Sequence, residues 1–119
     1  MAKGRDKHEA YLEALNLLGK ALARRANRRC ELSEEAGPLV IYDLAGPKVE
    51  PDLNHVVLVS PMMKAFLDGG QIDEIAVRCL ENAVWSPLSP VRRAAVQLLS
   101  RIDAPWATEA IDNATTMDS

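Results

Sequence analysis

The chain has few aromatic residues and only two cysteines. Phenylalanine, tyrosine and tryptophan together make up 4% of its 119 residues, so leucine, valine, isoleucine and alanine must supply most of the packing. Cys30 and Cys79 are too few for a disulfide framework, and two reduced thiols are typical of a cytoplasmic protein. This composition argues against a small secreted domain that disulfides hold together.

The chain also lacks any long apolar run. No stretch approaches the roughly 20 apolar residues that a membrane-spanning helix needs. The first ten residues, MAKGRDKHEA, are polar and do not contain the apolar segment of a secretory signal. With 48% hydrophobic residues, the chain is long enough for one modest core. We therefore expect a single domain over residues 1–119, a cytoplasmic location and no membrane partner.

Positive charge is scarce outside the first 29 residues. That segment carries eight lysines and arginines against three acids, a net charge of +5, whereas residues 30–119 carry six against fourteen, a net charge of −8. A basic segment before an acidic body is found in nucleic-acid-binding proteins. It is equally able to contact the acidic body of its own chain or of a second copy.

The first segment has the apolar period of one helix face. The apolar residues recur at steps of four, three and four, namely Tyr11, Leu15, Leu18 and Leu22. We predict a long helix over residues 5–26. It should end close to Asn27, because asparagine is favoured at helix C-termini.

Cations line the opposite face of this helix. Lys20, Arg24 and Arg28 are spaced four residues apart and form a stripe about 12 Å long at the helical rise of about 1.5 Å per residue. This basic stripe is the candidate binding surface, and it could follow phosphates without reading bases. Tyr11 is the only aromatic residue of the segment and belongs to the apolar face, which disfavours stacking on single strands. Arg25 falls under the apolar face instead.

Two short β-prone runs follow the helix. We predict strands at Leu39–Tyr42 and Val56–Val59, joined by a loop over residues 45–53 that is rich in glycine, proline and acids. Two strands alone are marginal in water, so helices must cover them. The expected fold class is α+β and mostly helical, with a long N-terminal helix, a short two-stranded antiparallel hairpin and C-terminal helices.

Helical signals return after Ser60. A proline at a first helical position opens a short helix that ends at Gly69–Gly70. Ser89–Pro90 opens a longer helix that reaches Ile102, and Asp103 caps the last helix. Between these helices we predict another helix whose buried stripe consists of Ile72, Ile75, Cys79 and Ala83.

Within the domain we expect three parts. These are the helix at residues 5–26, the hairpin region at residues 30–63 and a helical part at residues 64–114. Trp85 and Trp106 should anchor the helical part, because each offers a large apolar surface in a core that is poor in aromatics.

Two four-residue knuckles flank the hairpin. Cys30–Ser33 and Ser60–Met63 have the layout of the paired Cys-x-x-Cys turns that close a tetrahedral zinc ribbon. Only Cys30 is a cysteine, and Ser33, Ser60 and Met63 stand at the other three ligand positions. Two hydroxyls and one thioether are weak donors for Zn²⁺. We therefore predict a degenerate zinc ribbon with four vestigial positions, with apolar contacts in place of the metal and no cofactor.

These landmarks resemble the PhnA-like family of small bacterial proteins. That family shows Cys-Glu-Leu-Cys at the first knuckle, a strand ending in Leu-Val-Cys before the second, and later a Trp-Ser dipeptide that opens a helix. The resemblance implies a zinc-ribbon fold, and the name of the family comes from an association with alkylphosphonate use. This chain departs from the family pattern at three of the four zinc positions. It runs from about residue 11 to residue 112 and is carried by Cys30–Ser33, Leu58–Ser60, Arg78–Glu81, Trp85–Ser86, Ser89–Val91 and Trp106–Ala107.

No catalytic constellation is evident in the sequence. The acidic pairs Glu34–Glu35 and Asp73–Glu74 are adjacent, so on a helix their side chains would diverge. Cys30 is interpreted as a small buried thiol, or as a thiol made reactive by the neighbouring Arg28 and Arg29.

The function that we prefer is therefore a non-enzymatic protein-interaction module, whose partner is another protein or a second copy of the chain. One alternative is electrostatic binding of nucleic acid through Lys20, Arg24 and Arg28. A second alternative is a thiol-redox or phosphonate-related activity centred on Cys30.

Overall fold

The computed structural model of the protein describes residues 2–46 and 50–117. Within these ranges the fold is α+β and mostly helical, with a long N-terminal helix and one antiparallel ribbon, so the predicted fold class is confirmed. None of the described helices is both long enough and apolar enough to span a bilayer. The elements in chain order are α1 (Ala2–Arg25), β1 (Val40–Asp43), β2 (Val56–Val59), α2 (Pro61–Leu67), α3 (Leu80–Ala83), α4 (Ser89–Leu99) and α5 (Pro105–Met117).

Helix α1 ends in a left-handed turn. The Arg28 N–H donates to the Ala23 carbonyl at 2.9 Å, and the Asn27 N–H donates to the Arg24 carbonyl at 3.3 Å. Asn27 has a φ of 55°, as expected for the residue after the helix in this capping arrangement. The predicted helix end near Asn27 is therefore confirmed.

The ribbon pairs β1 with β2 in antiparallel register. Strand β2 lies where it was predicted, and β1 begins and ends one residue later than predicted. The aligned pairs are Val40 with Val59, Ile41 with Leu58, Tyr42 with Val57 and Asp43 with Val56.

Both faces of the ribbon are covered. Successive side chains of a strand point to opposite faces. Val57 and Val59 accordingly join the main core with α2–α5, whereas Val56 and Leu58 join a smaller cluster around Leu22 of α1. The ribbon thus lies between α1 on one face and the other helices on the opposite face. This arrangement satisfies the requirement that a two-stranded ribbon be covered.

Helix α2 begins and ends where the sequence indicates. Pro61 is its first residue, and the chain turns away at Gly69, whose φ is 109°. A Cβ atom at Gly70 would lie 2.7 Å from the Ala65 carbonyl oxygen, so glycine is required at this position.

The predicted helix with the stripe Ile72, Ile75, Cys79 and Ala83 is wrong. Residues 74–79 form consecutive turns, only α3 is helical, and Ile75 is 87% exposed. The turns are tight, since the Leu80 N–H donates to the Val77 carbonyl at 3.0 Å, three residues back. A three-residue period aligns Val77, Leu80 and Ala83, and these three side chains are buried.

Helices α4 and α5 complete the core. Helix α4 ends at Leu99 rather than at Ile102, and Leu88 rather than Ser89 is the residue that precedes it. The Ala104 carbonyl accepts the first hydrogen bonds of α5, so Ala104 takes the capping position expected for Asp103. Small residues of α5 allow the two helices to approach closely, since its buried side chains are Ala107, Ala110 and Ala114.

Trp85 does not anchor the core as predicted, whereas Trp106 packs against the main core. Trp85 is 49% exposed, and Trp106 is only partly buried, with the Arg78 guanidinium 4.5 Å from its ring centroid. Aliphatic side chains of α4, among them Leu98 and Leu99, fill the centre instead.

Candidate functional site

The first knuckle, residues 30–33, is a tight turn. Cys30 is buried, and its Sγ accepts a hydrogen bond from the Ser33 N–H at 3.3 Å. The Glu34 N–H donates to the Cys30 carbonyl at 2.7 Å, and the Cys30 N–H donates to the Glu35 carbonyl at 2.9 Å. Because the sulfur is buried and already accepts a hydrogen bond, thiol chemistry at Cys30 would require this turn to open first.

The second knuckle, residues 60–63, repeats the geometry with a hydroxyl in place of the sulfur. The Ser60 Oγ accepts a hydrogen bond from the Met63 N–H at 3.2 Å, which makes Ser60 the N-cap of α2. Met63 is fully buried, whereas Met62 is exposed. In both knuckles the first side chain therefore accepts the N–H of the fourth residue.

Apolar packing holds the knuckle region together, as expected from the missing ligands. Cys30, Leu32, Val59 and Met63 belong to one buried cluster. A thiol, two hydroxyls and a thioether do not fit Zn²⁺, which binds thiolates, imidazoles and carboxylates in structural sites. Among residues 7–46 and 50–117, no group of three or more histidine, cysteine and acidic side chains is placed to hold a metal ion.

A largely buried ion pair, which the sequence did not predict, joins the first knuckle to α1. The Arg25 Nε and Nη2 atoms donate to the two carboxylate oxygens of Glu31 at 2.8 and 2.7 Å. The two side chains are 17% and 3% exposed. Arg25 also donates to the carbonyl oxygens of Leu53 and Val56, each at 2.8 Å. We refer to this pair as the Arg25–Glu31 clamp.

The clamp also reaches the outer edge of β2. The Leu58 N–H donates to Glu31 Oε1 at 2.8 Å, and the Glu31 N–H donates to the Leu58 carbonyl at 2.8 Å. One glutamate thus satisfies both main-chain groups of Leu58 on the side away from β1. The sequence predicted that Arg25 lies under the apolar face of α1. It did not predict Glu31 as the partner of Arg25, because several acids follow Arg25 closely in the chain.

Lys20 and Arg24 of the basic stripe lie on the exposed side of α1 as predicted, but Arg28 lies beyond the end of the helix, in the left-handed turn, where its φ is 58°. Lys20, Arg24 and Arg28 are all exposed and line a surface concavity of about 440 Å³. Leu17 lies one turn before Lys20 on the same face and is 78% exposed. In the described part of the chain none of the three cations forms an ion pair with a carboxylate. Within residues 7–46 and 50–117, the acidic body therefore supplies no direct ion pair to the stripe.

A second cavity, of about 300 Å³, lies beside the first knuckle. The exposed side chains around it include Glu34 and the half-exposed Trp85. Burial raises the pKa of the Cys79 thiol in its wall to about 11, and the neighbouring Cys30 and acidic side chains add to this effect. We call this cavity the Trp85 cleft. It is lined by Glu31, Leu32, Ser33, Glu34, Cys79, Asn82, Ala83, Trp85, Ser86 and Pro87.

The chain was compared with protein-family models, with curated proteins and with solved structures, and none of the three comparisons found a match. The resemblance of its knuckles to the PhnA-like family therefore stays a prediction.

Proposed function

We propose that the chain is a non-enzymatic protein-interaction module that self-associates through the basic stripe. The observation that carries the proposal is the exposure of Leu17 on the same face as Lys20 and Arg24. A leucine contributes nothing to a phosphate contact, but its burial favours association with another protein. A mixed apolar and basic helix face therefore fits a protein surface better than it fits a nucleic-acid backbone.

The charge distribution supports a second copy as the partner. Residues 30–119 carry a net charge of −8, and the cations of the stripe have no ion-pair partner among the described residues. A second copy brings an acidic body to a free basic stripe, and this complementarity favours encounter and sets the orientation.

We further propose that the chain is a PhnA-like protein whose zinc ribbon has become a scaffold without metal. The matching hydrogen bonds at Cys30 and Ser60 support this relation. In this view the apolar cluster and the Arg25–Glu31 clamp replace the metal. They fix the orientation of α1, which presents the stripe.

Sedimentation equilibrium over a range of protein and salt concentrations tests the proposed self-association. We expect an oligomer at low salt that dissociates as salt rises, because exposed charges are screened. The triple variant K20Q/R24Q/R28Q should be monomeric. The matched control K7Q/K64Q/R93Q removes three cations outside the stripe, of which Lys7 and Arg93 are exposed and Lys64 is partly exposed, and it should associate like the wild type. A wild-type chain that stays monomeric at every concentration would refute self-association.

Nucleic-acid binding is the second candidate function, because the stripe presents three exposed cations around one concavity, and such cations can bind phosphates. Fluorescence anisotropy with labelled duplex DNA and with RNA distinguishes it from self-association. Nucleic-acid binding predicts a salt-dependent complex whose slope falls by roughly 0.9 log unit for each duplex phosphate contact that the triple variant loses. Self-association predicts no anisotropy change at the same concentrations.

A further inference from the structure

We infer that the Trp85 cleft of one copy receives the basic stripe of a second copy, with Arg24 entering the cleft. This inference rests on the proposed self-association and names its acceptor surface. The contact would be reciprocal, so that two copies form a closed dimer.

The cleft offers the groups that recognise an arginine. Trp85 is half exposed, and Glu34, which lines the same cleft, is exposed. In the described part of the chain the Glu34 carboxylate has no ion-pair partner, and the nearby Arg29 donates to the carbonyl of Glu34 rather than to its carboxylate. A planar guanidinium can stack on an indole while it pairs with a carboxylate.

The same chain already contains this three-part contact elsewhere. The Arg78 guanidinium lies over the Trp106 ring at 4.5 Å from its centroid, while Arg78 Nε donates to Glu81 Oε1 at 2.8 Å. An arginine held between an indole and a carboxylate is therefore a geometry that this protein uses within one copy. The Trp85 cleft has the indole and the carboxylate but is open for an arginine from outside.

The stripe and the cleft adjoin each other on the surface. A groove between them shares Asn27 with the concavity of the stripe. It shares Glu31, Glu34 and Ser86 with the Trp85 cleft. In a two-fold symmetric dimer each surface patch meets its own copy, so a patch must carry donor and acceptor side by side. The adjacency of stripe and cleft meets this condition and favours a closed dimer over an open chain of copies.

Charge exchange between Arg24 and Glu34 tests the contact. Both side chains are exposed, so the single variants R24E and E34R should fold normally, which circular dichroism and urea midpoints would verify. Each variant alone should be monomeric, because its symmetric dimer would place like charges together at both contacts. An equimolar mixture of R24E and E34R should form a dimer, because both contacts then join opposite charges. Sedimentation velocity measures all three samples.

The stacking contact has its own variants. W85A should raise the dimer dissociation constant by about tenfold or more, and W85F by less, since phenylalanine keeps a ring face. R24K keeps the charge but loses the planar guanidinium, so it should raise the dimer dissociation constant roughly threefold relative to wild type.

Two results would overturn the inference while leaving the proposed function intact. The first is dimerisation that R24E abolishes but that E34R and W85A leave unchanged. The second is a mixture of R24E and E34R that stays monomeric while wild type dimerises. If wild type itself does not associate, the proposed function fails as well, so the two failures can be told apart.

Discussion

At the scale of single residues, the Arg25–Glu31 clamp contributes more to the stability of the fold than either surface ion pair does. The side chains of Lys64–Asp68 and Arg78–Glu81 are 39–54% exposed, and such surface pairs contribute about 0–1 kcal/mol to stability. The clamp is mostly buried, and its atoms also satisfy main-chain groups at Leu53, Val56 and Leu58. Removing one partner would leave a buried charge and several unpaired main-chain groups.

We therefore expect Arg25→Met to lower the free energy of unfolding by about 3–5 kcal/mol. Urea denaturation measures this loss, and Lys64→Met serves as the control, with an expected loss below about 1 kcal/mol. The double variant R25M/E31L should recover only part of the stability, because main-chain groups of β2 would still lack partners. An Arg25→Met protein as stable as the control would show that the clamp is dispensable.

Ionisation of the Cys79 thiol lowers the stability of the fold at alkaline pH. Its thiol pKa rises from 9.0 to about 11 on folding, chiefly through burial, so the folded state favours the neutral thiol. This stabilisation is fully present below pH 9 and is lost as pH rises through 11. The urea midpoint of the wild type should therefore fall more steeply between about pH 9 and pH 11 than that of Cys79→Ala. Tyr11, whose pKa is raised to about 12 by burial and by its hydrogen bond to Asp43, is common to both proteins and cancels from the comparison. Parallel pH curves would contradict the role of Cys79.

At the scale of elements, the end of α1 determines how the chain enters the first knuckle. Asn27 sits in the left-handed region, where glycine is free of strain and asparagine is tolerated better than other residues. We expect Asn27→Ala to be less stable than Asn27→Gly by about 1–2 kcal/mol, measured by urea unfolding. Ala26→Gly, at the neighbouring position whose N–H still donates to the Leu22 carbonyl at 2.8 Å, should by contrast be destabilising by about 0.5–1 kcal/mol. Equal stability of the two Asn27 variants would show that this turn opens in solution.

The elements that the sequence predicted well are those with a local signal. The limits of β2 and α2 follow from the run Val56–Val59 and from the cap and proline at Ser60–Pro61. The segment around Ile75 was mispredicted because an α-helical period was assumed, whereas tight turns impose a period of three. Arg25 and Glu31 are only six residues apart, but nothing local distinguishes Glu31 from the other acids that follow Arg25. The bonds from Arg25 to Leu53 and Val56, and the walls of the Trp85 cleft, join residues that lie far apart in the chain, so no local pattern reveals them.

At the scale of the whole molecule, the proposed relation of the two knuckles to a zinc ribbon can be tested by supplying four cysteine ligands. The triple variant S33C/S60C/M63C restores four cysteines together with Cys30. If the knuckles retain ribbon geometry, this variant should bind one zinc ion per chain, and a chelator should lower its unfolding temperature. Elemental analysis measures the metal, with wild type as the control that should contain no stoichiometric zinc. A triple variant without zinc would contradict the ribbon relation, and zinc in the wild type would contradict the loss of the metal.

The contact between Glu31 and Leu58 also bears on aggregation. Strand β2 consists of four consecutive apolar residues, Val56–Val59, which is a strongly β-prone composition without charge. An open edge on such a strand is a template for pairing with other chains. By bonding both main-chain groups of Leu58, Glu31 closes that edge at its middle. The first knuckle therefore protects the edge of β2 from pairing with other chains. Loss of the clamp would lower the stability of the chain and would also make it prone to form intermolecular β-sheet.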